Sequence, residues 1–168
     1  MKGVLVFAAL VGCSGSTSSE PSQIFTHRDQ GYSIGQPDGW SSSDDQRATR
    51  FTSPSGKQTV VVRSVPRPKE IVEGKPTTSE DVVEATRAAL QRLTREKLEA
   101  PTRVDGELSG TRFSFTFQPP STGKPYRRNH AVLLGRSHIF HVIQTAPLGE
   151  KLDEQVLQEM ISTLVEEG

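Results

Sequence analysis

The sequence predicts an α+β domain in which an antiparallel β-sheet of about five to seven strands is flanked by helices. Two observations indicate this fold class. Short segments with alternating apolar and polar residues are separated by turns rich in Pro, Gly and Ser, which is typical of antiparallel strands. Two other segments, one in mid-chain and one near residue 168, carry apolar residues at helical spacing.

Six strands are predicted from the alternation. The most regular is the fourth of these strands, 110–118, where Phe113, Phe115 and Phe117 alternate with polar residues. Ser53 to Lys57 has turn composition and predicts a hairpin between the strands on either side. Longer Pro-containing loops are predicted at 65–78 and 118–125. The predicted strands are 31–35, 48–52, 59–65, 110–118, 126–134 and 137–145.

Two helices complete the predicted domain. The first covers residues 79–98 and begins at Thr78-Ser79-Glu80-Asp81, which has the composition of a capping box. The second follows Gly149 and should dock on the same sheet through an apolar stripe. That stripe consists of Leu152, Val156, Leu157, Met160, Ile161 and Leu164.

Composition restricts the classes of function. The 168 residues are enough for one domain, and 20 basic and 20 acidic residues give a formal net charge of zero. The charges are dispersed, which argues against nucleic-acid binding because a phosphate backbone requires a basic surface. Cys13 is the only cysteine, so a disulfide within the chain is excluded.

Residues 1–12 resemble the signal peptide of bacterial lipoproteins. Residues 4–10 form an uncharged apolar run that is shorter than the roughly 20 residues needed to span a bilayer. Leu10-Val11-Gly12-Cys13 resembles a lipobox, which implies cleavage after Gly12 and lipidation of Cys13. Ser14 follows the cysteine where inner-membrane lipoproteins have Asp, which implies an outer-membrane protein facing the periplasm. The alternatives are an ordinary signal peptide or an apolar N-terminus.

The remainder of the chain divides into a tether and a domain. Residues 13–23 contain the lipidated cysteine and a Ser-rich stretch without apolar residues, which is typical of a flexible linker. The apolar alternation starts at residue 24, so we place the folded domain at 24–168. A lipid on Cys13 would then hold this domain on a membrane surface through the tether.

The predicted hairpin near the C-terminal end brings two histidines together. With Gly135-Arg136 as a two-residue type II′ turn, His130 faces His141 across the strands. Two imidazoles about 5 Å apart at Cβ can share a divalent metal ion, and His138 and His27 are candidates for completing the site. The alternatives are a structural pair at the sheet edge with one neutral partner, or one histidine on each side of the sheet if the loop has three residues instead of two.

A second candidate site is a basic cluster next to the Pro-rich loop. Lys124, Tyr126, Arg127 and Arg128 suit contact with an acidic partner or anionic lipid. The alternative is a solvated edge strand whose charges prevent aggregation. No catalytic residues are predicted, because the sequence lacks the Gly-x-Ser-x-Gly, His-Glu-x-x-His and Gly-rich phosphate-loop motifs.

The order of elements resembles the PsbP-like superfamily. The resemblance rests on Phe25 and on the opening motif Gly31-Tyr32-Ser33-Ile34-Gly35-Gln36-Pro37-Asp38-Gly39-Trp40. A mid-chain helix, an aromatic strand, a long hairpin and a final helix follow in the family's order over residues 24–165. The resemblance implies an antiparallel sheet between helices, which accounts for apolar residues on both faces of the hairpin. Family functions are diverse, so the fold does not specify one.

These observations favour a non-enzymatic binding or assembly module. We expect a lipid-anchored monomer that binds an envelope protein through the loops 66–78 and 118–126 and that has no cofactor. The alternative is a carrier of a small molecule or metal ion, using a cleft between sheet and helix near His130 and His141. The two hypotheses differ in whether a partner protein or a ligand stabilises the fold.

Overall fold

The structure is a computed structural model of the chain, and it describes residues 23–72, 75–94, 98–119 and 121–168. The predicted signal peptide and tether, including Gly12 and Cys13, lie outside the described residues except for Gln23. Residues 95–97 of the first predicted helix also lie outside them.

The secondary structure contains short strands at both ends of the domain and long strands in its middle. The helices are α1 (Ser79–Thr94) and α2 (Glu154–Thr163), and a 3₁₀ turn covers Arg28–Gln30. The strands are β1 (Gln23–His27), β2 (Tyr32–Gln36), β3 (Ser41–Asp44), β4 (Thr49–Thr52), β5 (Thr59–Pro66), β6 (Glu70–Val72), β7 (Lys75–Pro76), β8 (Thr102–Val104), β9 (Gly110–Phe117), β10 (Tyr126–Leu134), β11 (His138–Pro147) and β12 (Val165–Glu166).

The strands form a main sheet and a small sheet. The main sheet has seven strands in the order β3-β4-β5-β11-β10-β9-β8, and the small sheet has the order β1-β2-β12. Every neighbouring pair is antiparallel. This arrangement confirms the predicted α+β class and the predicted hairpin of β4 and β5, which pair from Thr52 and Thr59 outward.

The main sheet is covered by different elements on its two faces. On one face, α2 and the small sheet bury a core that includes Tyr32, Phe51, Phe140 and Ile161. On the other face, α1 packs on β9 and β10. Its core consists of Val82, Leu90, Phe113, Phe115, Val132 and Ile139. The chain is therefore layered as the resemblance implies, with a helix on each side of the sheet.

A buried row of polar side chains crosses the main sheet beneath α2. The Ser114 hydroxyl donates to the Asn129 side-chain oxygen at 2.7 Å, and the Asn129 amide donates to Gln144 at 3.1 Å. The Gln144 amide then donates to the backbone carbonyl of Asp153 at 2.6 Å. Asp153 is the N-cap of α2 and accepts from the Val156 N–H. The row therefore fixes the start of α2 against three strands.

Three predicted boundaries are wrong. The segment 66–78, predicted as a loop, contains the paired strands β6 and β7. The described part of α1 ends at Thr94, and Leu98 is no longer helical, whereas the prediction extended the helix to 98. The short strands β1, β3, β8 and β12 were not predicted; β3, for example, is Ser41–Asp44 and has no apolar residue to form an alternation.

The predicted register of the β10–β11 hairpin is also wrong. Leu134 pairs with Ile139, and His130 pairs with Ile143 instead of His141. The Gly135 N–H donates to the His138 carbonyl at 2.9 Å, so the two-residue loop is Arg136-Ser137. Positive φ angles among the described glycines occur at 31, 39, 56 and 123, so Gly135 lacks the backbone that a type II′ turn requires.

The physical reason for this register is a carboxylate that binds the turn. The N–H groups of Arg136 and Ser137 both donate to the side chain of Glu166, which comes from β12. A contact between residues 30 positions apart is not visible in the local pattern. Because the register moved by two residues and side chains alternate with period two, each face of the hairpin keeps its predicted residues.

Candidate functional site: a groove beside α1 and a histidine–arginine cluster

A groove of about 750 Å³ lies between the first half of α1 and one end of the strands β8, β9 and β10. Its floor is apolar and includes Val82, Val83, Val132 and Leu134. Its rim is polar and includes Glu80 and Glu84 from α1 and Thr102 and Arg103 from β8. An apolar floor with a polar rim is typical of sites that bind a partner side chain or a small ligand.

Local sequence explains how the groove is held open. The Thr78 hydroxyl accepts from the Asp81 N–H at 3.2 Å, and the Asp81 carboxylate accepts from the Thr78 N–H at 2.9 Å. The Thr78 N–H and the Thr78 hydroxyl both donate to the Asp81 carboxylate, and these two hydrogen bonds hold the pKa of Asp81 below its usual range. This reciprocal capping box, which the sequence predicted, fixes the start of α1 at the rim.

The floor of the groove requires a glycine at position 110. A Cβ atom there would lie 2.0 Å from the Val132 carbonyl oxygen and 2.9 Å from Leu133 Cα, both of them backbone atoms. Gly110 begins β9 and pairs with Leu133 of β10 and Val104 of β8. The close approach of these strands therefore depends on the missing side chain.

His130 and His141 form a close pair on the α1 side of the main sheet, where His130 is buried and His141 is half-buried. They are diagonal neighbours on β10 and β11, and Nε2 of His130 lies 2.9 Å from Nδ1 of His141. His130 is 4% exposed, and its Nδ1 atom has no hydrogen-bond partner. The sequence predicted the contact correctly, although the pairing that it assumed is wrong.

Both histidines are held in the neutral state. Burial, followed by the charges of His141, Arg63 and Arg128, places the pKa of His130 well below its usual value. Burial and the nearby Arg63 lower the pKa of His141 to about 4. A neutral imidazole can bind a metal ion, but the same arginine charges repel a cation.

The other two histidines do not join this pair. His138 is on the opposite face of β11, and its Nδ1 atom lies 3.0 Å from Glu166 Oε1. His27 is buried in the small sheet, where Nε2 is 2.9 Å from Asp44 Oδ1. The predicted convergence of four histidines is therefore wrong. In the described part of the chain, no three His, Cys, Asp or Glu side chains are grouped as metal ligands.

The predicted basic cluster is divided between two faces of β10. Arg128 is half-buried on the α1 side, where its guanidinium lies 4.1 Å over the Phe117 ring and its Nε donates to Thr145 at 3.2 Å. Tyr126 packs on the same ring at 6.0 Å between centroids. Arg127 and Lys124 are exposed, and Arg127 points to the other face because it alternates with Arg128.

Sequence analysis missed Arg63, which lies directly opposite His141 on β5. Arg63 shares one face of β5 with Val61 and Val65, and single arginines in strands are common. Only the strand order β5-β11-β10 brings Arg63 near Arg128, which lies 65 residues further along the chain. The pairing of β5 with β11 was the missing information.

Comparison with known proteins establishes the fold. No protein family description and no curated protein matches the sequence. Solved structures do match. A protein of Bacteroides thetaiotaomicron VPI-5482 superposes with a TM-score of 0.61 at 15% identity over 88% of this chain. The chain spans about half the length of that protein, since the match covers 49% of it.

Two further matches cover nearly whole proteins. The cyanobacterial PsbP (CyanoP) of Synechocystis sp. PCC 6803 superposes with a TM-score of 0.56 at 12% identity, over 93% of this chain and 98% of that one. LpqN of Mycobacterium tuberculosis, which is involved in cell envelope biogenesis, superposes with a TM-score of 0.55 at 13% identity, over 87% and 90%. The chain therefore has a PsbP-like fold, as the motif at residues 31–40 predicts.

The described helices do not provide a membrane span. In the ranges that the structure describes, no helix is both long and apolar enough to cross a bilayer.

Proposed function

We propose that this chain is a non-catalytic binding module of the bacterial cell envelope. A lipid on Cys13 holds it on a membrane, and the groove beside α1 binds an extended segment of a partner protein. The groove carries the proposal, because it combines an apolar floor with an open edge of the main sheet. The occurrence of the same fold in an envelope-biogenesis protein supports the location.

The groove floor suits apolar side chains of a partner. Val82 and Val132 are 5% and 3% exposed, while Val83 and Leu134 remain half-buried. The half-exposed pair can lose further surface to an incoming side chain, which stabilises a complex by the hydrophobic effect. The strands beneath the groove are fixed by their pairing, so we expect a partner to adapt its conformation to the groove.

The edge of the sheet suits the backbone of a partner. β8 is the last strand of the main sheet and pairs with β9 on one side, so its other side lacks a strand partner among the described residues. An extended peptide can add to such an edge through main-chain hydrogen bonds while alternate side chains enter neighbouring pockets. Glu80 and Arg103 on opposite rims would select the charge pattern of the peptide.

A second function, carriage of a small apolar molecule, is favoured by the volume of the groove. About 750 Å³ falls within the range of roughly 300–1,000 Å³ that is typical of small-ligand sites. Val132 and Leu134 line the groove, whereas His130 and His141 do not. A carrier of this kind would therefore not use the histidine pair.

Site-specific photo-crosslinking in the native cell tests the proposed function. A benzophenone amino acid replaces Thr102 on the groove rim or, as a matched control, exposed Ala88 on α1 outside the groove. We expect one discrete protein adduct from position 102 that is absent from position 88. Val83→Trp, which fills the groove, should remove that adduct.

Equal adducts from both positions contradict the protein-binding proposal. Stabilisation by apolar small molecules that Val83→Trp abolishes, without any protein adduct, assigns the groove to a carrier. Anchoring is tested separately with Cys13→Ser, which should move the protein from the membrane fraction to the soluble fraction. A protein that stays in the membrane fraction after this substitution contradicts the lipid anchor.

A further inference from the structure

The α1 side of the main sheet has an open half that carries positive charge. α1 contacts β9 and β10, whereas β4 and β5 on the same face remain accessible, with Val65 36% exposed and Arg50 and Arg63 exposed. We name the residues of this half the open face. It consists of Arg50, Thr59, Val61, Arg63, Val65, His141, Ile143, Thr145 and Arg128.

Three arginines surround the centre of the open face. Arg50 pairs with Val61, Arg63 pairs with His141, and Arg128 pairs with Thr145. Val61 pairs in turn with Ile143, and these two half-buried side chains form the centre. Arg63 and Arg128 lie on the same face of the sheet on either side of β11, where they pair with His141 and Thr145 respectively.

None of these arginines has an anionic partner among the residues that the structure describes. The ion pairs between described residues involve other side chains, and the hydrogen bond from Arg128 Nε to Thr145 leaves the two terminal nitrogens of that guanidinium unsatisfied by the described protein. The face positions of β3, β4, β5, β10 and β11 contain no Asp or Glu. Arg50 and Arg63 are exposed to water, but Arg128 is half-buried, and an external anion can satisfy its two free terminal nitrogens.

The adjacent histidine pair fits the same conclusion. His130 is nine-tenths buried, and its Nδ1 atom lacks a hydrogen-bond partner. Arg63, Arg128 and His141 all face it with positive or potentially positive groups. An anion above this cluster would compensate the charge of the arginines and would favour protonation of His141.

We propose that the open face binds a phosphate group, which is held by Arg63 and Arg128, with Arg50 at the margin. The guanidinium fork donates two parallel hydrogen bonds to phosphate oxygens, so two arginines can satisfy most acceptors of one phosphate. The apolar centre of Val61 and Ile143 lies beside the phosphate and suits the adjoining carbon chain of an organic phosphate. This site shares no residue with the groove beside α1, whose strand residues belong to β8, β9 and β10.

The test uses the full chain carrying Cys13→Ser, so that no lipid is attached. Inorganic phosphate is titrated against chloride at constant ionic strength, and binding is followed by thermal unfolding and by the NMR resonances of the His141 imidazole. A second arm measures sedimentation with vesicles containing phosphatidylglycerol and with vesicles of phosphatidylcholine alone. We expect saturable binding of phosphate and a shift of the His141 titration to higher pH.

The variants distinguish a specific phosphate site from a general effect of positive charge on phosphate binding. Arg63→Gln and Arg128→Gln should each weaken binding about tenfold, because each removes charge-assisted hydrogen bonds. Arg127→Gln makes the same charge change on the same strand but on the opposite face, and it should leave binding unchanged. Arg63 is exposed, so its variant reports on the site even if Arg128→Gln disturbs packing on Phe117.

Each outcome decides the proposal. Binding of inorganic phosphate with this variant pattern supports it. Binding only to phosphatidylglycerol vesicles, with the same pattern, also supports it and identifies a lipid headgroup as the source of the phosphate. Absence of saturable binding in both arms overturns the proposal, and so does equal weakening by Arg127→Gln.

Discussion

The Nε2 atom of His130 lies 2.9 Å from the Nδ1 atom of His141, and both rings are largely buried beside two arginines. One neutral ring donates this hydrogen bond and the other accepts it. Protonation of either ring places a positive charge next to Arg63 and away from water, so the pair is a source of acid sensitivity.

The first prediction is that acid destabilises the fold between pH 6.5 and 4. The folded pKa of His141 is lowered from 6.5 to about 4, so the unfolded state binds more protons in this range and stability falls as pH falls. The lowered pKa of His141 alone should make the free energy of unfolding about 2 kcal/mol smaller at pH 5 than at pH 7. Urea unfolding at the two pH values measures this change. The double variant His130→Phe and His141→Phe should show a flatter dependence, and an identical dependence would exclude the pair as its cause.

The second prediction concerns the hairpin turn. Partial burial opposes ionisation of Glu166, but hydrogen bonds from His138, Ser137 and Arg136 outweigh it and hold the pKa of this carboxyl below its usual value. The ionised Glu166 carboxylate therefore contributes its full stabilisation of the fold above pH 4.5, and this stabilisation is lost as pH falls through the lower folded pKa. Glu166→Gln should lower the free energy of unfolding by about 1–2 kcal/mol at pH 7 and by less at pH 3.

Exposed Glu107 provides the matched control for the turn. Glu107→Gln makes the same change of charge and should alter stability by less than about 0.5 kcal/mol. Chemical denaturation of both variants at pH 7 gives the comparison. Equal losses in the two variants would show that net charge, and not the bond to the turn, explains the effect.

The third prediction is that removing a side chain at the end of the polar row beneath α2 destabilises the fold less than removing one in its middle. Asn129→Leu leaves the Gln144 oxygen and the Ser114 hydroxyl without partners and should cost about 2–4 kcal/mol. Ser114→Ala removes one terminal partner and should cost about 1 kcal/mol. Thermal unfolding of the two variants measures the difference. Equal costs would mean that the hydrogen bond from Asn129 to Gln144 adds nothing beyond the one from Ser114 to Asn129.

The fourth prediction links the capping box to the groove. Asp81→Ala removes the carboxylate that accepts from Thr78 and should cost about 1 kcal/mol. Glu80→Ala, at the adjacent acidic position, should cost less because no capping hydrogen bond is lost. Hydrogen exchange of residues 79–84 should accelerate in Asp81→Ala only. Uniform acceleration across α1 would contradict a local role at the groove rim.

The long elements could be predicted from the sequence because their pattern is local. Strands near β5, β9 and β10 and the positions of α1 and α2 follow from periods of two and 3.6 residues, and the capping box at Thr78 follows from composition. The hairpin register could not be predicted, because Glu166 of β12 binds the turn from 30 residues away.

The candidate sites show the same division between local and long-range information. The contact between His130 and His141 follows from one hairpin, and it survived an error of two residues because side-chain direction has period two. The groove depends on the strands that neighbour β10, and the place of Arg63 depends on the pairing of β5 with β11; a single sequence does not contain that strand order. His138 and His27 likewise contact carboxylates that lie far from them in the sequence, those of Glu166 and Asp44.

The small sheet determines which way the domain can face. β1 and β12, which lie nearest the two ends of the described chain, both pair with β2 on the α2 side of the main sheet. Any linker joined to residue 23 and any fusion joined to residue 168 therefore leave from one layer, while α1, its groove and the open face occupy the other layer. Immobilisation through either end would present the proposed binding surfaces outward to solution.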